Sequence, residues 1–231
     1  MNRVIKVARM QLINKWTFLG IPMVILLGST LLTFAIWALL PPGAREGTLY
    51  SGSGQAVMWY FLALGIQSLT YTFPFSQAMS VSRRTFYLGT LGLFAAIAMA
   101  YSILYYLLGL VEKATGGWGF NGQLFALDWI AGNHPVIQVL FYFVAMVLLF
   151  MIGFWGATVY LRWKATGLLV AGIGVAALLL GVLAAVGLND AWPQVGAWFA
   201  AMQVLGLSIV LGLVCVALAG GSYLTLRRAT T

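Results

Sequence analysis

The chain has 231 residues, of which 62% are hydrophobic and only 7% charged, with a formal charge of +8 and a mean hydropathy of +0.99. A water-soluble domain of this length carries charge on roughly a quarter of its residues, so an ordinary globular fold is excluded and lipid is the expected solvent of a single membrane domain. The basic residues stand singly or in pairs between apolar runs, which argues against a nucleic-acid patch, and the one cysteine, Cys215, lies within an apolar run, away from any disulfide framework or metal cluster.

From the start of the chain, Arg3 to Trp16 reads as an amphipathic helix, with Ile5, Ala8, Leu12 and Trp16 on one side and Arg3, Lys6 and Asn14 opposite. Residues 1–16 are then an interfacial segment along the inner leaflet, or a basic flank that orients the first span. The apolar run that follows is too long for a signal peptide and has no small-residue cleavage site, so the segment is expected to be retained. Six runs long enough to cross about 30 Å of hydrocarbon follow, at about 17–40, 55–75, 88–111, 136–161, 165–188 and 195–220. The first stops at Pro41 and Pro42 and the second near Pro74, where proline withholds a backbone donor. The runs are continuously apolar, which favours helices over the alternating strands of a barrel. The expectation is an all-α polytopic membrane protein, with a six-helix transmembrane domain over 17–220 and a cytoplasmic tail over 221–231.

Orientation follows from Lys and Arg, which are retained in the cytoplasm during insertion. With the N terminus inside, the inner segments hold Arg3, Lys6, Arg9, Lys15, Arg83, Arg84, Arg162, Lys164, Arg227 and Arg228, and the outer loops keep only Arg45 and Lys113. The acids Glu46, Glu112, Asp128 and Asp190 all fall outside, and both termini are predicted to be cytoplasmic in a plasma (inner) membrane.

No Asp, Glu, Lys, Arg or His falls near the middle of a predicted span, which disfavours a proton-driven pump. The single His134, beside Pro135, reads as a loop residue, and neither a carboxylate pair nor a GxxxxGK[ST] loop is present. The chain is therefore not expected to be an enzyme or to bind a metal or cofactor, and any ATP hydrolysis must come from another subunit.

Between the second and third spans the sequence runs Phe73-Pro74-Phe75-Ser76-Gln77-Ala78-Met79-Ser80-Val81-Ser82-Arg83-Arg84-Thr85-Phe86-Tyr87-Leu88. With the basic N-terminal segment and six spans, this resembles the permease subunits of ABC transporters, in the exporter class that includes drug- and polysaccharide-export permeases. Gly116-Gly117-Trp118-Gly119 and Tyr160-Leu161-Arg162-Trp163 are similar to family features, although related permeases often have glycine where this chain has Lys164. The resemblance implies that the 76–88 segment couples the permease to its ATPase, with Ser82, Arg83, Arg84, Thr85 and Phe86 at the contact. It further implies pairing with itself or a similar permease, and two cytoplasmic ATPase subunits that bind ATP and Mg. The exported cargo would be a drug, an antimicrobial peptide or a lipid-like molecule. A guanidinium pair beside an aromatic suits docking on an acidic or carbonyl-lined cleft; the plainer reading is that Arg83 and Arg84 only obey the positive-inside rule.

Tyr60, Gln67 and Tyr71 share one helical face, and Tyr101, Tyr105 and Glu112 another. The five residues Tyr60, Gln67, Tyr71, Tyr101 and Tyr105 are candidates for a substrate path, against the simpler reading of a bundle interface. Gly167, Ala171, Gly172, Ala176, Ala177, Gly181 and Ala185 mark the fifth span as a close-packing helix. Residues 121–133 are expected along the outer interface, with Phe125, Trp129 and Ile130 towards lipid and Gln123 and Asp128 towards water. A transport-inactive assembly or sensor subunit, and a channel, are the alternatives in other classes.

Overall fold

The computed structural model describes residues 3–12, 14–45 and 47–228; Glu46 and the last three residues of the expected tail lie outside them. In chain order the helices are α1 (Arg3–Gln11), α2 (Trp16–Leu39), α3 (Gly52–Ala78), α4 (Arg83–Ala114), α5 (Asp128–Ala131), α6 (Pro135–Leu188) and α7 (Trp192–Arg228). Two short strands, β1 (Leu49–Tyr50) and β2 (Gly122–Gln123), pair in parallel beside α5. Among the described residues five helices, α2, α3, α4, α6 and α7, are long and apolar enough to cross a membrane. The chain is thus all-α in its main architecture, and the fourth and fifth predicted runs belong to one continuous stretch of 54 residues.

The bundle is built on close approach between α3 and α6. At Gly65 an added Cβ would lie 2.2 Å from the carbonyl oxygen of Phe150, and at Gly153 it would lie 2.1 Å from that of Leu62. Backbone therefore meets backbone at this crossing, which only glycine permits. Around it α4 contributes Phe94, stacked on Phe150 at 4.0 Å between ring centres, and Tyr101 stands edge-on to Phe61 at 6.0 Å. Such pairs add specific geometry to the large area that aromatic side chains bury.

Two helices carry π-turns, Trp16–Gly20 in α2 and Ser68–Thr72 in α3. Each is followed within two residues by proline, Pro22 and Pro74, whose missing N–H leaves the usual i−4 carbonyl without its donor. The widened turn is a local accommodation of that loss.

Helix α1 packs its Val7 and Gln11 inward, with Ala8 and Leu12 half-buried, while Ile5 and Trp16 are exposed. The inward face is therefore centred between the two sides predicted from the sequence. Gln11 fixes the contact, its Nε2 donating to Thr90 Oγ1 at 2.7 Å in α4.

A second regime begins at Lys164. There the backbone turns to φ 57° and ψ −155°, and at Gln203 to φ 51° and ψ −174°. These breaks divide α6 and α7 and delimit an arm, residues 165–202. No described residue between Tyr160 and Gln203 is buried. The small residues of the predicted fifth span consequently do not pack against the rest of their own chain, apart from the first turns, where Leu168 reaches Gly156. Beyond Gln203, α7 returns along α6, with Cys215 beside the Val144 carbonyl and Ser222 beside Tyr87.

Candidate functional site

The tip between α3 and α4 is a four-residue turn, Met79 to Ser82. Val81 N–H donates to the Ser76 carbonyl at 3.1 Å and Ser80 N–H to that of Gln77 at 2.9 Å, the wrap of a helix C-terminus closed by a left-handed residue. Here the left-handed position, φ 56°, is Ser80 rather than glycine, and Gln77 Nε2 adds a bond to the Val81 carbonyl at 3.1 Å. Ser82 then caps α4, its Oγ accepting from Thr85 N–H at 3.2 Å, with the two hydroxyls 2.7 Å apart.

The five residues predicted for coupling separate by role. Ser82 and Thr85 form the cap. Arg83 is half-buried and its Nη1 donates to the carbonyls of Leu226 and Arg227, at 3.2 and 3.4 Å, so a cation closes the C-terminal end of α7 where the helix dipole favours one. Phe86 is fully enclosed, edge-on to Phe73 at 5.2 Å, and so does not supply the docking aromatic that the sequence suggested. The large exposed side chains of the tip are Arg84 and Met79, with Phe75 one turn earlier. A cavity of about 410 Å³ separates this tip from Val7 and Met10 of α1.

Three of the five path candidates are tied to backbone. The Tyr60 hydroxyl donates to the Thr17 carbonyl at 3.0 Å and the Tyr101 hydroxyl to that of Leu19 at 3.1 Å, so two tyrosines from α3 and α4 serve the carbonyls of the α2 π-turn. Tyr105 is buried and its hydroxyl donates to the Gly54 carbonyl. These contacts place the three among the struts of the bundle. Gln67 and Tyr71 instead line a groove against Gln11, Asn14 and the α2 π-turn.

At the opposite end, residues 116–131 fold over the end of α4. Gly116, Gly117, Trp118, Gly119 and Asn121 all have positive φ, which reverses the chain within a few residues. The Glu112 carboxylate is enclosed at 2% exposure and accepts from Trp118 Nε1 at 2.8 Å and from the N–H groups of Leu124, Phe125 and Ala126, at 3.0, 3.0 and 2.9 Å. Tyr142 donates to the Phe125 carbonyl from α6. In consequence Phe125 and Ile130 point into the protein, against the expectation that both face lipid, while Trp129 is exposed as expected. Asp128 accepts from Tyr50 at 3.2 Å and from Gln123 Nε2 at 2.7 Å. Desolvation, and then the Asp128 carboxylate, push the Tyr50 hydroxyl above its ordinary pKa, which keeps it a donor. His134 caps α6, its Nδ1 accepting from Val136 N–H at 3.3 Å.

Gln11 and the Gly65–Gly153 crossing went unmarked in the sequence, and Glu112 was marked only as an outer acid and a member of the Tyr101–Tyr105 face. Each depends on what lies opposite it, which no local pattern encodes. Among the described residues no three His, Cys, Asp or Glu side chains come together as a metal site. Comparison with protein-family models, with curated proteins and with solved structures finds no match.

Proposed function

We propose that this chain is the membrane-spanning permease subunit of an ATP-driven ABC transporter of the exporter class. In this reading it crosses the plasma membrane six times, with the break at Lys164 separating the fourth and fifth spans and both termini cytoplasmic. It pairs with itself or a similar permease and engages two cytoplasmic ATPase subunits, which bind the ATP and Mg.

The observation that carries the reading is the tip between α3 and α4. Its fold is self-sufficient, through the Ser82 cap and the Arg83 bonds to α7, and it still offers an exposed guanidinium at Arg84 beside an exposed Met79. A cation and an apolar side chain on a rigid turn suit a cleft in a partner protein, since rigid presentation lowers the ordering cost of docking. Arg83 supports the mechanism differently. It ties the tip to the end of α7, so a push on the tip is passed to two spans at once. The arm supports pairing, because residues 165–188 are about 36 Å of exposed apolar helix carrying the small residues that membrane helices use for close contact.

Purification of the tagged chain from its native membrane in mild detergent tests this directly. A stoichiometric ATPase with vanadate-sensitive activity should copurify, and Arg84→Ala should weaken that capture about tenfold, equivalent to about 1.4 kcal/mol, without lowering Tm. Recovery of the intact chain with no nucleotide-binding partner overturns the reading in favour of a channel or an assembly subunit.

A further inference from the structure

The groove beside Gln67 and Tyr71 has a volume of about 440 Å³, and its walls come from the two π-turns of the bundle, Trp16–Gly20 and Ser68–Thr72. Such turns are rare and often accompany functional sites. The lining carries no charged side chain. Amide and hydroxyl groups from Gln11, Asn14, Gln67 and Thr72 share it with the rings of Phe18 and Phe75. Tyr71 is 74% exposed and Phe75 56% exposed, so the groove opens at that rim.

Gln11 singles this place out. It lines the groove, is only 3% exposed, and spends its Nε2 on Thr90, while its buried Oε1 has no hydrogen-bond partner. A buried amide end without a partner is costly. Exchanging oxygen and nitrogen about the broad terminal torsion does not remove the deficit: Thr90 would then donate to the oxygen, and the NH2 would be left over. Gln11 lines the groove while its Oε1 is itself buried, so a ligand there meets the unsatisfied end once the amide turns about its side-chain torsions. A hydroxyl serves in either case, because it both donates and accepts.

We propose that this groove binds an uncharged amphiphile whose hydroxyl-bearing head, of the glycerol type, pairs with the free end of the Gln11 amide while its acyl chain lies along Phe18 and Phe75. The absence of charge in the lining selects against a carboxylate or phosphate head, and the opening beside exposed Tyr71 and Phe75 suits entry of a chain from surrounding lipid. The site belongs to this chain alone and requires no ATPase, so it stands or falls separately from the permease reading.

The test uses the full chain in phosphatidylcholine nanodiscs and quenching of Trp16, whose neighbour Thr17 lines the groove, by dibromostearoyl glycerol. A saturable component of quenching should appear and should be lost in Trp16→Phe, which leaves only the proportional quenching of the other eight tryptophans. The half-saturating concentration should rise about tenfold in Gln11→Leu, a change equivalent to about 1.4 kcal/mol. The methyl ester of the same acid, which lacks hydroxyls, should quench only in proportion to its concentration. Because Gln11→Leu also removes the bond to Thr90, Gln67→Leu on the facing wall provides a second variant, with a rise of about threefold expected, the loss of one weak hydrogen bond. Equal quenching by glyceride and methyl ester overturns the proposal, as does unchanged saturation in both leucine variants when circular dichroism shows them folded. Equally tight saturation by the free acid also overturns it, since Lys15 rather than the amide would then select the head.

Discussion

The bundle around Gly65 and Gly153 and the arm at 165–202 share an apolar composition and differ in almost everything else. In the bundle, single glycines are consumed by contacts with backbone, tyrosine hydroxyls are consumed by carbonyls, and even the buried acid Glu112 is saturated by donors from the loop that follows it. In the arm, small residues are plentiful and meet little of their own chain. A glycine-rich helix is therefore only an offer of close contact; whether the offer is taken up depends on a partner. The bundle has found its partners internally, and the arm presents its surface outward.

The strongest way to break the contrast is to fill the crossing. Gly153→Leu places a side chain where even a Cβ lies 2.1 Å from the Leu62 backbone oxygen, a neighbour that no rotamer change can move. Loss of the folded, detergent-stable chain is expected, read by size-exclusion fluorescence of a tagged protein; a cost well above the 1–3 kcal/mol of ordinary overpacking follows from the rigid obstacle. Next in size is Glu112→Ala, which leaves the N–H groups of Leu124, Phe125 and Ala126 and the Trp118 indole without their acceptor. A loss of about 3 kcal/mol is expected, or roughly 6 to 12 °C in Tm for a chain of this length, with faster hydrogen exchange confined to 116–131. Glu112→Gln should rescue little, because the amide brings its own donors into a ring of donors.

How far the sequence could be read follows the same division. Long apolar runs mark helices through a requirement that is local, about 20 residues without charge; the first ends at Leu39, before Pro41 and Pro42 as expected, whereas α3 does not stop at Pro74 but runs through it to Ala78 after the Ser68–Thr72 π-turn. The Ser82 cap was likewise within reach, since cap chemistry depends on four consecutive residues. Nothing distinguishes Gly65 or Gly153 among 27 glycines, because the feature that matters is the carbonyl of another helix. Tyr60 and Tyr101 were legible as faces, but their acceptors, the carbonyls of Thr17 and Leu19, lie in the widened turn of another helix. The arm's first helix was legible as a close-packing helix, and within this chain its small residues stay largely exposed.

That last point sharpens into a separation of fold from assembly. Ala176→Phe and Gly172→Leu both fall where an added side chain meets open space or solvent. The stability of the bundle should stay within about 0.5 kcal/mol of the parent, as for exposed substitutions elsewhere. Self-association or pairing, followed by cross-linking in the membrane, should fall sharply. If pairing survives both changes, the partner face is elsewhere and the arm's exposure needs a different cause.

The smallest expected effect lies at the boundary between the two regions. Lys164, at φ 57° and ψ −155°, occupies a conformation that is essentially reserved for glycine, and its Cβ is held there at a cost of order 1–3 kcal/mol. Lys164→Gly should relieve part of the strain, and the greater freedom of glycine in the unfolded chain returns some of it, leaving a net gain of about 1 kcal/mol in thermal denaturation. Arg162 beside it, its guanidinium 4.3 Å over the Trp163 ring, keeps a positive charge at this turn in the variant. A rise in Tm with the arm's proteolytic susceptibility unchanged locates the strain in one residue and leaves the arm's geometry to its two backbone breaks. A rise in Tm accompanied by faster cleavage between 165 and 202 means instead that Lys164, by restricting the turn, is what holds the arm apart from the bundle.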